Sequence, residues 1–581
     1  MKKRKNPVYG LPVVWCGLWL LIAAACSPVA APALVQPPAP TTPTPAPQIT
    51  EAAPATASAT RPAPAMPTPQ PTTAATAAPT LPPPTFSNPL DAALAQTAET
   101  AGADFFVMDS ANTGLWQYPQ DTFIHPVALE MGEDAAYLLD AGRVLRLDVA
   151  EPMPAAVLLQ PGDTVEGVTV IEPLDLYPAA DGLLVLDRAG DVYRYDWDSG
   201  VWFLDRYDRP ISDTSSHYYV ALEGAGVDGV ENGRYLLETS YNYVLLYENG
   251  EQRALWNLPE ARGIDVAAAG EAAYVLAQRM DDTSATLTRY ENTSKTETFR
   301  PNFPLDRARD VAATETAVYV LDQNGQRLLA FNPDSGSLQA VTQLLPDDPI
   351  SAFALMPGAE TILLAGRDRL YFWNQPQRAA HVPGAALLVG PQPHDPQVLA
   401  SISGFAPPIG WELSPRDLQM PGAPRHYRLG VHEGADFYWA RDSQVFAAAD
   451  GVVIRALHDY TPPFPAAFAA MRAQAFELGY TSAEALDFYR GQQVWLHHEN
   501  GLVSRYIHLG SIAWNIAEGD TVTQGQWIGT VGNSGSPASL ESPDSDAHLH
   551  FELWLDDHYI GQFLRPVEIR EWIEAILHDQ P

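Results

Sequence analysis

His548-Leu549-His550-Phe551-Glu552 sets two imidazoles two residues apart in an alternating run. In an extended strand, positions two apart face the same side, so His548 and His550 share one face of a sheet. Two further segments supply partners of fitting chemistry. His432-Glu433-Gly434-Ala435-Asp436 pairs an imidazole with a carboxylate four residues on, and Ser504-Arg505-Tyr506-Ile507-His508-Leu509 carries another histidine. A His–Asp pair plus a His from a distant strand can fill three positions of a tetrahedral zinc site, leaving the fourth for water. Such a donor set keeps the ion electrophilic enough to acidify water and polarise a carbonyl.

The surrounding sequence resembles the LytM/lysostaphin-type zinc metallopeptidases, the M23 family, over roughly residues 425–570. The His-x-x-x-Asp, Tyr-x-His-Leu and His-Leu-His segments are shared in order. Ala448-Ala449-Asp450-Gly451-Val452-Val453, Val494-Trp495-Leu496-His497-His498-Glu499-Asn500-Gly501, Gly519-Asp520-Thr521-Val522, Gly525-Gln526-Trp527-Ile528-Gly529 and Gly532-Asn533-Ser534-Gly535 resemble further family segments. The resemblance implies an antiparallel β-sheet metallopeptidase domain at 425–581, with Zn2+ held by His432, Asp436 and His550. It implies that His548 activates or orients the attacking water. His508 would stabilise the developing oxyanion or assist proton transfer. The family acts largely on peptide bonds of bacterial peptidoglycan, so stem or cross-bridge peptides are the implied substrate. The alternative is a noncatalytic envelope scaffold that recognises peptidoglycan or regulates a partner hydrolase.

Two segments depart from the family pattern. An insertion at about 457–492 contains a helix-prone run from Phe464 to Leu478, then Gly479. Thr481-Ser482-Ala483-Glu484 follows and reads as a capping box before a short helix ending near Arg490. This predicts a helical hairpin on the rim that narrows the cleft or docks on the neighbouring domain, or else a tolerated loop insertion. Ser536 to Ala547 carries Glu541, Asp544 and Asp546 and predicts an acidic lip, without the spacing of a calcium loop. Of the remaining candidates, His498 has structural or cleft duty, His497 is strand surface and His458 is incidental. His426 and His558 receive no role. Glu433 and Glu552 flank the motifs, where acids can tune the site electrostatically, but read rather as structural or solvent-facing. Pro566 to His578 reads as an amphipathic helix packed on the sheet, its Glu568, Glu571 and Glu574 disfavouring anionic lipid.

Upstream, residues 92–390 repeat an apolar pair, a third residue that is usually an acid, a short turn and another strand. The third positions are Asp109, Asp140, Asp187, Glu238, Ala277, Asp322 and Ala365, separated by 31, 47, 51, 39, 45 and 43 residues. That period centres on the roughly 40–50 residues of a four-stranded propeller blade. The middle region therefore resembles a β-propeller of six or seven blades, with a pair of β-sandwiches as the competing reading. The repeated acids read as turn or strand-edge residues rather than a ligand ring. Residues 391–424 join the two domains. The expected fold is mainly β throughout.

The N-terminus has a different logic. Lys2, Lys3, Arg4 and Lys5 precede an apolar run ending Ile22-Ala23-Ala24-Ala25-Cys26. This resembles the lipobox of bacterial lipoproteins, which implies a signal peptide at 1–25 and a lipid membrane anchor through acylated Cys26. Of the 60 residues 28–87, 18 are Pro, with only Glu51 and Arg61 charged. Such a stretch buries too little surface to fold, and 26–87 reads as a lipid-anchored linker. Cys16 and Cys26 are the only cysteines of the 581 residues, so cysteine nucleophiles and iron–sulfur clusters are excluded from the body. A net charge of −36 argues against nucleic acid as a partner. The expected location is the extracytoplasmic cell envelope, with the propeller as a surface for an envelope protein.

Overall fold

The computed structural model describes residues 90–578, apart from 206–216, 226–232, 241, 249–250, 259–260, 292–293, 346, 358–360 and 411–412. The signal segment, Cys26 and the Pro-rich stretch lie outside the described residues. The architecture is mainly β. Helix α1 (Ala92–Ala101), whose first N–H groups are capped by Asp91, leads into six sheets of four or five strands. The six first strands are Ala128–Met131, Pro173–Ala179, Tyr219–Gly224, Ala261–Ala269, Asp310–Ala313 and Ala352–Leu355. Each contacts the next, and the last contacts the first. Early strands complete late sheets: Asp104–Val107 runs parallel to Leu338–Gln343, and Thr113–Gln117 pairs with Arg369–Trp373. The middle region is thus propeller-like, with six sheets where six or seven blades were expected.

Four of the five repeated acids are buried braces, while Asp109 is half-buried and caps its own turn, accepting from the Ala111 and Asn112 N–H groups. Asp140 accepts from the N–H groups of Ile124 and His125, Asp187 from Ile171 and Glu172, Glu238 from Tyr218, and Asp322 from Asp306. Each carboxylate ties the end of a second strand to the chain entering the first strand of its sheet. The side chains carry no exposed surface, because their oxygens satisfy backbone donors that would otherwise be orphaned.

A different set of acids faces the centre. Glu130, Asp175, Glu223, Asp265 and Asp310 come from five of the six first strands and line a narrow cavity with Arg565. Three of them stitch neighbouring sheets: Asp175 accepts from Leu222 N–H at 2.7 Å, Asp265 from Val311 at 2.9 Å and Asp310 from Phe353 at 3.2 Å. Burial raises the carboxyl of Asp175 to about 7 and that of Glu223 to about 8.

The C-terminal region begins with α2 (Pro396–Ser401) and builds a main antiparallel sheet, beside a three-stranded sheet of Gln444–Phe446, Trp527–Val531 and Leu509–Ile512 and a two-stranded one of Pro424–Arg425 and Gly430–Val431. The strands of the main sheet lie in the order Ala435–Tyr438, His548–Leu555, Val503–Ile507, Val494–His497, Gly451–Ala456 and Thr521–Val522. The insertion forms α3 (Pro465–Leu478) and α4 (Ala483–Arg490), joined through Gly479 at φ 81°. Ser482, not Thr481, caps α4, accepting from Ala485 N–H at 3.1 Å. Thr481 instead donates its hydroxyl to the Arg428 carbonyl, which makes it a tie to the sheet region rather than a cap.

Helix α5 (Pro566–His578) packs on the sheet as its pattern predicts. Ile569, Ile573, Ile576 and Leu577 join Phe551, Leu553 and Ile560 in one core, each fully buried side chain contributing about 1.5–3 kcal/mol. Its other side meets the propeller-like body. Glu568 pairs with His125 at 2.8 Å, Arg309 with Glu571, and Val567 enters the core around Val311 and Val318. Nearby, Glu172 accepts from Tyr559 O–H at 2.7 Å and Phe563 N–H at 3.0 Å. Asp417 accepts from Arg262 and Arg570, both at 3.1 Å. No helix among the described residues is long and apolar enough to cross a membrane.

The raised carboxyls give a pH test. In an unfolded chain Glu223 would titrate near about 4. A carboxyl raised by folding stabilises the protein fully below that value, and the contribution is lost as pH climbs through the folded value of about 8. Glu223→Gln keeps the shape and removes the titration. Its urea midpoint, relative to the native protein, is expected to rise steadily between about pH 5 and about pH 8 and then level off. A difference that stays constant across that range would contradict the assignment.

Candidate active site

The register of the sheet assembles the cluster. Asp436 lies directly across from His550, Tyr438 across from His548, and Ile507 across from His550 on the other flank. His432 stands just before the Ala435–Tyr438 strand, and His508 just after Val503–Ile507. All five predicted residues, His432, Asp436, His508, His548 and His550, line one cavity of about 960 Å³.

Three donor atoms converge. His432 Nε2 is 3.0 Å from Asp436 Oδ1 and 2.7 Å from His550 Nδ1, and His550 Nδ1 is 2.9 Å from the same Oδ1. The outer ring nitrogens are fixed elsewhere. His432 Nδ1 donates to the Met420 carbonyl at 3.0 Å, and His550 Nε2 donates to Glu552 Oε1 at 3.1 Å. A carbonyl or carboxylate only accepts, so these bonds place hydrogens outward and turn lone pairs toward Asp436. The cluster is capable of holding a metal ion.

The electrostatics agree. Burial, with Arg425 alongside, lowers His432 to about 3, which keeps the ring neutral. At His550 burial acts in the same sense, but hydrogen bonds to Asp436 and Glu552 outweigh it and raise the ring to about 9, so without a metal Nδ1 also carries a proton near neutral pH, in the place a cation would take. At Asp436 the cost of burial is outweighed by His432 and His548, and the carboxyl stays well below its ordinary range. A buried centre of converging lone pairs that attracts positive charge fits a small divalent cation bound by two imidazoles and a carboxylate.

His508 and His548 sit beside this centre with their rings in a T-shaped contact at 4.9 Å. His508 Nδ1 donates to the Ser534 carbonyl at 2.7 Å, and His548 Nδ1 to the Asp546 carbonyl at 2.6 Å. Each neutral ring therefore offers a lone pair at Nε2. His548 Nε2 lies 3.6 Å from Asp436 Oδ1. His508 holds φ 61°, a left-handed conformation that costs a non-glycine residue about 1–2 kcal/mol. Gly491 and Gly535 make the turn beneath it feasible: a Cβ on Gly491 would lie 2.3 Å from the Ser534 carbonyl oxygen.

For Glu552 the structure excludes only the solvent-facing place: the residue is fully buried. Arg490 grips it bidentately at 2.9 and 2.8 Å, Arg505 approaches at 3.3 Å, and Trp554 donates its indole N–H at 2.6 Å. The two positions from His550 to Glu552 on one strand were the available signal, since both side chains must share a face.

The insertion forms a wall of the same cavity through Phe468, Arg472, Phe476, Leu486 and Tyr489. It also docks on the propeller-like body, where Gly479 packs against the backbone of Gly167–Thr169. The acidic lip contributes Asp546 alone to the cavity, while Asp544 faces Arg441. Glu433 lines the cavity but is paired with Arg428 at 2.9 Å. His498 is a buried structural residue bonded to the Asp450 carbonyl and to Ser504 Oγ, each at 2.8 Å. His497 is exposed, and His458 bonds the Ile516 carbonyl. His426 and His558 do not line the cavity.

Residues 467–561 match the family model of Peptidase family M23. The C-terminal part of this chain is an M23 peptidase family domain. The peptidoglycan DD-endopeptidase ShyA of Vibrio cholerae serotype O1 is 29% identical over 147 residues, covering 25% of this chain and 25% of that protein. The chain thus aligns with only about a quarter of that relative's length. The middle region is distantly similar to virginiamycin B lyase from Staphylococcus aureus, at 13% identity and a TM-score of 0.32 over 45% of this chain and 99% of that one. The Cps50 (Swd1) β-propeller domain of Myceliophteria thermophila gives 11% identity and a TM-score of 0.32 over 43% and 83%.

The Glu552 carboxylate orients His550, so its loss should register as weaker metal binding. Glu552→Gln is expected to lower zinc affinity by about 10- to 100-fold in protein that still unfolds cooperatively. Competition with a chromophoric chelator measures this directly. Unchanged affinity would assign Glu552 a purely structural duty.

Proposed function

We propose that this chain is a zinc-dependent endopeptidase of the bacterial cell envelope, cleaving peptide bonds in peptidoglycan stem or cross-bridge peptides. The observation that carries this reading is the convergence of His432, Asp436 and His550 with His508 and His548 in one cavity of an M23 domain. The similarity to the Vibrio relative, a peptidoglycan DD-endopeptidase, supports the substrate class.

His432, Asp436 and His550 would hold the zinc ion, which when bound supplies an electrophile that acidifies water and polarises a peptide carbonyl. His548, with Nδ1–H committed to a carbonyl, presents Nε2 as the acceptor for the water's proton. His508 presents the same atom in the same state, so the neutral ring is a proton acceptor; only after protonation can it donate to the oxyanion or the leaving nitrogen. Burial, with His548 and His550 nearby, lowers His508 well below its ordinary range, which favours its neutral form at the start of a cycle. The insertion walls the cleft and limits the peptides that can enter it.

The whole-chain organisation belongs to the same proposal. A lipoprotein signal at 1–25 leads to an acylated Cys26 and a linker to residue 87, which hold the enzyme at the membrane's extracytoplasmic face. The six sheets between 92 and 390 form a closed six-bladed propeller, available to an envelope protein partner. After the joining segment 391–424, residues 425–581 form the peptidase.

Metal analysis coupled to digestion of purified murein tests the activity. The native protein is expected to carry about one zinc and to release new peptide ends, and His550→Ala is expected to lose both. His548→Ala is expected to keep the metal while slowing release by about 10²–10⁴-fold. Zinc-replete native protein that opens no peptide bond across varied mureins would overturn the proposal in favour of a scaffold.

A further inference from the structure

A histidine that accepts a proton from water must hold one ring orientation and one tautomer. Rotation of the ring by half a turn would exchange Nδ1 for Cδ2 and aim Nε2 away from the cluster. Two residues outside the family motif restrain His548 against this. Tyr438 is its direct cross-strand neighbour, and the two rings stack with centroids 5.1 Å apart and planes 25° from parallel. His548 also makes a T-shaped contact with His508, the centroids 4.9 Å apart. Two aromatic neighbours thus restrain the ring.

Asp546 closes the arrangement. Its carbonyl accepts the His548 Nδ1–H at 2.6 Å, and its carboxylate lies near enough to Tyr438 to join burial and Asp436 in raising the phenol above its ordinary range. The backbone of Asp546 holds φ 52°, an uncommon conformation for a residue with a side chain. The lip around it is pinned by Asn533, whose amide donates to the carbonyls of Ser542 at 2.9 Å and Ser545 at 2.7 Å. Tyr438 itself is 41% exposed and lines the cavity, so burial in a core does not account for its aromatic ring.

We propose that Tyr438 and Asp546 are positioning residues for His548: the Tyr438 ring fixes the imidazole plane, and the Asp546 carbonyl fixes the tautomer while its carboxylate flanks Tyr438. The catalytic part of this inference rests on the reading of His548 as the proton acceptor. The structural part does not. The lip that the sequence marks as acidic then acts through one carbonyl and one carboxylate, not through a bound ion.

Tyr438→Phe keeps the stack and loses the hydroxyl; Tyr438→Ala loses both. Asp546→Gly removes the carboxylate while allowing the same backbone conformation. The first readout is long-range ¹H–¹⁵N correlation of the zinc-free protein, with His548 assigned from His548→Gln. The native ring is expected as a single Nδ1–H tautomer, retained in Tyr438→Phe and replaced by a mixture in Tyr438→Ala. The second is steady-state cleavage by zinc-loaded protein. Tyr438→Ala is expected to lower kcat by about 10- to 100-fold at unchanged KM and zinc content, with Tyr438→Phe restoring most of the loss. Asp546→Gly is expected to fall between the two. A single unchanged tautomer in Tyr438→Ala, or a raised KM at native kcat, would overturn the positioning role; the latter would make Tyr438 a substrate platform. Native protein that is inert toward peptides would instead remove the reading of His548 as a catalytic base, and the tautomer spectrum alone would then decide whether Tyr438 and Asp546 fix the ring.

Discussion

A single buried carboxylate, Glu552, joins the insertion, the sheet and the metal-binding cluster. It receives Arg490 from the end of α4, Arg505 from one neighbouring strand position, and Trp554 and His550 from its own strand. An isolated carboxylate with no exposed surface would cost several kcal/mol to bury, and this cost is offset only while its charged and hydrogen-bonded partners stay in place. Arg490 also accepts the His508 N–H through its own carbonyl at 3.2 Å. The insertion therefore ends in two contacts, one that orients His550 and one that holds the backbone of His508. A hairpin that merely decorated the rim would touch neither.

The antiparallel register does the rest of the assembly. With Asp436 across from His550 and Tyr438 across from His548, a slip of one residue would turn every one of these side chains to the opposite face. The alternation that buries Leu549, Phe551 and Leu553 against α5 thus fixes, through the same register, the imidazoles on the cleft side. Core packing and site geometry are one constraint here. That is why a segment as short as His548–Glu552 could be read from sequence as a site: the residues that carry the chemistry and those that set the face are interleaved.

Elements with local causes were legible. The α5 boundaries, the α3 and α4 hairpin around Gly479 and the recurring β units follow from periodicity and caps, and the five cavity residues from their spacing together with the resemblance to M23 segments. What was not legible depends on partners remote in sequence. Glu552 looked like a flanking acid because Arg490, 62 residues earlier, cannot be matched to it by pattern. The braces Asp140 and Asp187 were read as turn residues, and they do stand at strand ends, yet their acceptors' work lies on backbone N–H groups of the preceding strand entry. The inward acids Glu130, Asp175 and Glu223 sit on first strands that alternate like any others. Only the convergence of successive sheets brings them around one cavity.

The contact between α5 and the propeller-like body has a further physical consequence. Arg565, Glu568 and Glu571 find partners on that body, at Asp310 and the Ser351 carbonyl, at His125 and at Arg309, while Arg188 reaches the Leu564 carbonyl from the other side. Separating the two bodies would strand these groups and expose Val567, so the interface resembles an interior more than a hinge. The same body supports the insertion at Gly479, whose missing side chain allows the close approach to Gly167. Since α3 and α4 wall the cleft, its width is set from two directions: by the Glu552 network at the α4 end, and by the propeller-like body at the turn between the helices. The middle region can therefore shape the cleft without contributing a single lining residue to it.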